Sequence, residues 1–195
     1  MATGLANAKD LRAKRTRRLS QETLLGLMRE KNYGAITVQD IAERSTLHRT
    51  TFYAHFEDKY DLLDSVARER IQRALADAIP DNAPLTRDTL HACCRTVFAY
   101  LAELQDGCPS RDRSLDPMFQ TAVQEVLSGF VAGRLVVSSA AGTARVGILT
   151  SAISWAIFGA ASQWSRGARA EPADRMAAQL VAVLTEGIGG ALAIS

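Results

Sequence analysis

At 195 residues, 47% hydrophobic and 23% charged, the chain is long enough for one large core or two small ones. A net charge of +2 excludes little, but its distribution is uneven: residues up to Lys59 hold 11 Lys and Arg against 7 Asp and Glu, and the remainder holds 12 against 14. The three cysteines, Cys93, Cys94 and Cys108, are odd in number and lack CxxC spacing, which fits a reducing compartment and not a disulfide framework.

Most of the positive excess sits in the first 18 residues, where Lys9, Arg12, Lys14, Arg15, Arg17 and Arg18 face only Asp10. Residues 1–14 are expected to form a basic flexible arm, either adding phosphate contacts to a neighbouring DNA-binding unit or remaining a solvated tail. The region lacks the apolar run of roughly 7–15 residues that a secretory signal needs, so a cytoplasmic address is expected. A first helix is predicted from about Arg15 to Lys31, with Leu24, Leu27 and Met28 as its apolar stripe, Leu25 widening it and the Asn32–Gly34 turn ending it.

The stretch Ile36–Leu63, ITVQDIAERSTLHRTTFYAHFEDKYDLL, reads as two short helices and a tight turn feeding a longer helix. Thr37 is an expected N-cap with Asp40 as its capping-box partner, and Val38, Ile41 and Ala42 give the first short helix one apolar face. Ser45, Thr46 and Leu47 leave room only for a turn. The second short helix must be held by packing, since an isolated helix below roughly 12 residues is marginal in water; Leu47, Phe52 and Phe56 are the available anchors. At about 100° per residue, Arg49, Thr50 and Tyr53 share one face and Phe52 turns away from it. Such a helix, pinned by the one before it, suits entry into a DNA major groove. An ordinary helical hairpin with a solvated polar face has the same spacing.

At these residues the sequence resembles the tetracycline-repressor-like (TetR) family of transcriptional regulators. The matching pieces are ITVQDIAERS, Thr50 with the run TTFYAHF, and DKYDLL from Asp58 to Leu63, with LMREKNYGA upstream; together they cover roughly residues 16–66. The resemblance implies a three-helix DNA-binding unit in which Arg49, Thr50 and Thr51 lie on the base-reading helix. It places Tyr53, His55 and Lys59 at positions that touch the phosphate backbone, and Thr37 is grouped with them. Thr46 stands where relatives commonly have Gly, and His48 where they often have Ser or Asn. His48 is expected to be a turn or cap residue, having no Cys or acidic partner at helical spacing to make a metal site.

Asp58 is expected to cap a helix of about 20 residues, about 30 Å long, with Leu62, Leu63, Val66, Ala67, Ile71 and Leu75 on its apolar face almost to Pro80. Its length makes it a lever between a DNA-binding domain at 15–60 and a helical regulatory and dimerisation domain at 61–195. After a loop around Pro80–Pro84, a helix is predicted from Thr86 and Asp88 to about Leu104, then a loop from Asp106 to Asp116, then a helix opened by Asp116 and Pro117. No strand alternation is sustained and no repeat is present, so the expected fold is all-α.

Between Arg145 and Arg166 lie 20 uncharged residues, VGILTSAISWAIFGAASQWS, enough to span a bilayer. Thr150, Ser151, Ser154, Ser162, Gln163 and Ser165 dilute the run, so a buried core helix covered on nearly all sides, without a membrane, is the expectation. A last helix is predicted from Pro172 to about Ala193. Two long, apolar, small-residue helices at the end suggest a four-helix bundle with a second copy, and the TetR resemblance implies the same; a monomer core is the alternative. Trp155, Gly159, Ser162, Leu180, Leu184 and Gly187 are the expected interface residues. Phe98, Phe119, Phe130, Trp155 and Phe158 are candidate walls of a small-molecule pocket, though aromatics at helical spacing are often plain core. His91, Cys93 and Cys94 are more simply buried structural residues than a metal or thiol sensor, because adjacent cysteines on a helix point in different directions.

No Gly-rich phosphate loop, GxSxG or HExxH is present, so no enzyme, metal or cofactor is expected. The expected function is that of a one-component regulator, a repressor, which binds a palindromic operator in double-stranded DNA as a homodimer and is released by a small-molecule ligand. The main rival is an adaptor that kept the fold and acts through a protein partner without reading an operator; Thr46 and His48 are the departures that favour it.

Overall fold

The computed structural model describes residues 2–106, 115–135 and 143–192, with side chains from Asp10 to Asp106, from Leu115 to Leu135 and from Ala144 to Gly187. Among them lie eight α-helices and one 3-10 turn, with no strand. They are α1 (Ala2–Glu30), the 3-10 turn Tyr33–Ala35, α2 (Val38–Arg44), α3 (Arg49–Tyr53), α4 (Lys59–Ala78), α5 (Arg87–Asp106), α6 (Asp116–Ala132), α7 (Thr143–Arg166) and α8 (Ala173–Leu192). The loop expected after Asp106 and the position of Cys108 lie outside the described residues.

Two compact units divide the chain, with the boundary inside α4 between Ala67 and Arg68 rather than at residue 60. In the first, α1 packs on α2 and α2 on α3. Leu24 and Leu27 of α1, Ile41 and Ala42 of α2, Phe52 and Phe56 around α3, and Leu62, Leu63 and Val66 of α4 are buried. This is the apolar set that the spacing predicts, with Leu25 and Met28 half-buried beside it. One expectation changes: α1 starts at Ala2, so residues 2–14 continue the helix instead of forming an arm. The segment ATGLANAK holds no Pro and three Ala, the best helix former, so nothing local stops the helix before Arg15.

The second unit is built around α5, which packs against α7 and α8. Leu90, Cys93, Cys94, Val97, Phe98 and Leu101 of α5 form one core with Ile71 and Leu75 of α4, Leu127 of α6, Ile153 and Ile157 of α7 and Val181 and Leu184 of α8. Thr86 stands at the start of α5, as the sequence suggests, and caps it reciprocally with Thr89: Thr89 N–H donates to Thr86 Oγ1 at 3.3 Å and Thr86 N–H to Thr89 Oγ1 at 2.7 Å. Both thiols are buried, and burial pushes them up, that of Cys94 to about 12. They are inert core groups. His91 lies 3.3 Å from the Asp174 carbonyl oxygen, against α8.

Helix α7 is long and apolar enough to cross a membrane by length and composition. Its inner face, Leu149, Ile153, Ile157 and Ala161, is buried, but Ile148, Ser151, Ala152, Trp155 and Gly159 are exposed, so within one chain it is not covered on nearly all sides.

Candidate functional site

The geometry of the first unit follows from its caps. Thr37 and Asp40 form the expected capping box: Asp40 N–H donates to Thr37 Oγ1 at 3.1 Å, and Asp40 Oδ2 accepts from Thr37 N–H at 2.7 Å. Lys31 Nζ lies 2.9 Å from the same carboxylate. The Thr37 backbone N–H, then Lys31 and the Thr37 hydroxyl, hold the Asp40 carboxyl down at about 2. Arg44 grips Glu30 with both guanidinium ends, at 2.5 and 2.7 Å, which joins the C-terminus of α2 to that of α1 and lowers the Glu30 carboxyl below its ordinary range.

The turn between α2 and α3 is a Schellman closure. Leu47 N–H donates to the Ala42 carbonyl at 2.9 Å and Thr46 N–H to the Glu43 carbonyl at 3.2 Å. Thr46 occupies the left-handed position with φ 54°, where relatives of the resembled kind place Gly. The turn therefore keeps the geometry that Gly would give and carries the strain of a branched residue. His48 is the N-cap of α3 with extended backbone, and its side chain makes no capping hydrogen bond.

Helix α3 has five residues and is held by its neighbours. Phe52 is buried with its ring 5.5 Å from that of Phe56. The Arg17 guanidinium lies 4.7 Å from the Phe56 ring centroid and donates to the His55 carbonyl at 3.2 Å, anchoring the chain just after α3 to α1. Sequence reading assigned Arg17 only to a basic arm; nothing in its spacing signals a partner 38 residues away. Opposite these anchors, Arg49, Thr50 and Tyr53 are exposed and Thr51 is half-buried. Tyr53 is 49% exposed, its ring edge-on to Phe52 at 5.5 Å. His55 is half-buried beside Phe56, and Thr37 is exposed at the start of α2.

Lys59, expected at the phosphate backbone, is engaged within the domain. Its Nζ donates to the carbonyls of Tyr33, Gly34 and Ile36 at 3.1, 3.3 and 2.7 Å. It also sits 4.7 Å from the Tyr33 ring centroid and 5.5 Å from that of Tyr60. An ammonium group has three donors, and here all three have acceptors inside the domain. Lys59 ties the first turn of α4 to the 3-10 turn. Asp58 caps the same helix, accepting from Tyr60 N–H at 2.7 Å and Asp61 N–H at 2.9 Å.

In the second unit the five expected pocket aromatics take different places. Phe98 is fully buried against Trp164 at 5.4 Å, Phe158 belongs to the core, and Phe119 is buried at the start of α6. Trp155 is 53% exposed, on the outer face of α7. Of the five, Phe130 lines a cleft of about 460 Å³ that lies along α4 and α6. Sequence reading missed its polar members, Arg68, Glu125 and Arg134, because helical spacing signals apolar stripes and not which charges face one another.

The expected interface residues also divide. Trp155, Gly159 and Gly187 are exposed, and a Cβ added at either glycine would meet nothing within 4 Å. Ser162 is half-buried. Leu184 is buried in the core of its own chain and Leu180 packs against that core. The stripe turns these leucines inward, and Ile148 and Val183, 70% and 66% exposed, stand on the outer faces instead.

Comparison with known proteins agrees with this geometry. Residues 22–66 match the family described as bacterial regulatory proteins, tetR family. The uncharacterized HTH-type transcriptional regulator YxbF of Bacillus subtilis (strain 168) is 39% identical over 71 residues, which is 36% of this chain and 18% of that protein's length. Among solved structures, the dihydroxyacetone kinase operon activator DhaS matches with a TM-score of 0.60 at 16% identity, covering 89% of this chain and 96% of its own. The TetR family repressor AlkX of Dietzia sp. strain DQ12-45-1b matches with a TM-score of 0.60 at 15% identity, over 89% and 98%. A tetR-family regulator of Streptomyces coelicolor gives 0.58 at 19% identity, over 92% and 85%. Residues 22–66 are thus a helix-turn-helix domain of the kind found in the tetR family of bacterial regulatory proteins, and the chain spans less than a fifth of the length of the curated relative it matches.

Proposed function

We propose that this regulator is a repressor that binds a palindromic operator as a homodimer, with α3 in the major groove, and that a small-molecule ligand releases it. The observation that carries the reading is the outer face of α3. Arg49, Thr50 and Tyr53 are exposed together on a helix whose opposite side is fixed by Phe52, Phe56 and Arg17. Among the described residues, no hydrogen bond engages the side chain of Arg49 or Thr50, so their donors remain for base edges, while Tyr53 can reach phosphate. Thr37, exposed, and His55, half-buried, are assigned to phosphate with it. The closed turn at Thr46 supports operator reading over the adaptor alternative, because the departure from Gly leaves the placement of α3 intact.

Dimerisation is supported by α7 and α8, which expose Ile148, Trp155 and Gly159 on the first and Val183 and Gly187 on the second. Large apolar side chains left exposed on long helices suit an interaction site, and a symmetric pair burying them would form a four-helix bundle. Two α3 helices fit successive major grooves when they stand about 34–36 Å apart. A ligand that favours another separation would shift the population and weaken DNA binding. Both an activator and a repressor stand among the structural neighbours; repression is the simplest outcome of a dimer that occupies its operator without ligand. Selection from random double-stranded DNA tests the reading. Enrichment of one palindrome is expected, and recovery of no common site would overturn it in favour of the adaptor.

A further inference from the structure

We propose that the cleft along α4 and α6 takes a small amphipathic molecule by its carboxylate, with Arg134 as the group that recognises the charge; this rests on the reading of the protein as ligand-regulated. The cleft, about 460 Å³, has Leu75, Val126 and Phe130 as apolar walls, a size and character typical of small-molecule sites. Three further lining residues carry a charge that is already met or solvated. Arg68 and Glu125 pair with each other, and Asp81 is exposed to water.

Arg134 is different. Its guanidinium is stacked 3.9 Å from the Phe130 ring centroid, and its Nη atoms donate only to two neutral carbonyls, Phe130 at 3.5 Å and Pro80 at 3.3 Å. Its Nε is buried with no acceptor. Among the described residues no carboxylate forms an ion pair with it, although Asp81 and Glu125 line the same cleft. A partly desolvated cation with unused donors is costly unless an anion joins it, and a carboxylate would do so through charge-assisted hydrogen bonds while its apolar body covers Leu75 and Val126. The position of Arg134 is fixed from the main chain, since its carbonyl accepts Leu85 N–H at 3.2 Å. Gly129 keeps the wall open: a Cβ there meets nothing within 4 Å.

The test is calorimetric titration of the full chain with octanoate, octanamide and inorganic phosphate, with operator affinity measured alongside. Octanoate is expected to bind at one per chain and about tenfold or more tighter than octanamide, which lacks the charge. Arg134→Gln should erase that preference, and Gly129→Leu, whose Cβ enters open space, should block both. The proposal is overturned if octanoate fails to bind, binds no tighter than octanamide or phosphate, or is unaffected by both substitutions. Octanoate binding that leaves operator affinity unchanged would overturn ligand release while leaving the cleft assignment standing. Absent octanoate binding with an intact operator complex would do the reverse.

Discussion

Thr46 holds the turn between α2 and α3 in a conformation its branched side chain resists. At φ 54° a residue with a Cβ pays about 1–2 kcal/mol, and Gly, which avoids this, gives back roughly half through its freer unfolded chain. Thr46→Gly should therefore stabilise the domain by about 0.5–1 kcal/mol, read from the denaturation midpoint; destabilisation would mean the Thr46 hydroxyl bond to the Ser45 carbonyl, 2.7 Å, outweighs the strain. Asp40 gives a pH signature at the same scale. Its folded carboxyl is held at about 2, below the value near 4 of an unfolded chain. Its contribution is thus fully present above about pH 4 and is lost as the pH falls toward 2. The stability advantage of the native chain over Asp40→Asn should shrink across that window, and an advantage independent of pH would remove the carboxylate from the account.

Among the elements, α3 and the first turn of α4 show what local sequence reveals and what it does not. The caps at Thr37, Thr86 and Asp58 were legible because each bonds to backbone within five residues, a distance that a sequence motif spans. The face of Arg49, Thr50 and Tyr53 was legible because helical geometry fixes it once Phe52 is buried. Lys59 was not, since its acceptors are backbone carbonyls 23 to 26 residues away, and carbonyls carry no side-chain signature. Arg17 and Arg134 escaped for the same reason. The two roles of Lys59 differ in salt dependence. A lost phosphate contact lowers the slope of log affinity against log salt by about 0.9. Lys59→Gln should instead weaken the domain by about 1–3 kcal/mol, as expected for lost hydrogen bonds to a charged group, and leave the salt slope of operator binding unchanged. A slope reduced by about one would return Lys59 to the phosphate backbone.

For the whole molecule, the all-helical architecture was readable from periodicity, and α7 and α8 stood out as long, apolar and rich in small residues. Which of their side chains point outward was not. Leu180 and Leu184 satisfy the same 3.6-residue pattern as Val183, and only the packing of α5 against α7 and α8 decides which of them turns inward. Trp155→Arg places a charge on the outer face, where Trp155 is half-exposed and gives up only an edge contact with Phe158, so it should convert a dimer into a monomer in sedimentation and weaken operator binding while the helical content persists. An unchanged dimer would move the interface elsewhere. The central claim, that α3 reads DNA through its exposed face, is tested most directly by gel-shift titration of Arg49→Ala on the selected palindrome. The account predicts a loss of about 1–3 kcal/mol, tenfold or more in affinity, with relaxed preference at one base position of each half-site and an unchanged melting temperature. Undiminished affinity and unaltered preference would contradict it.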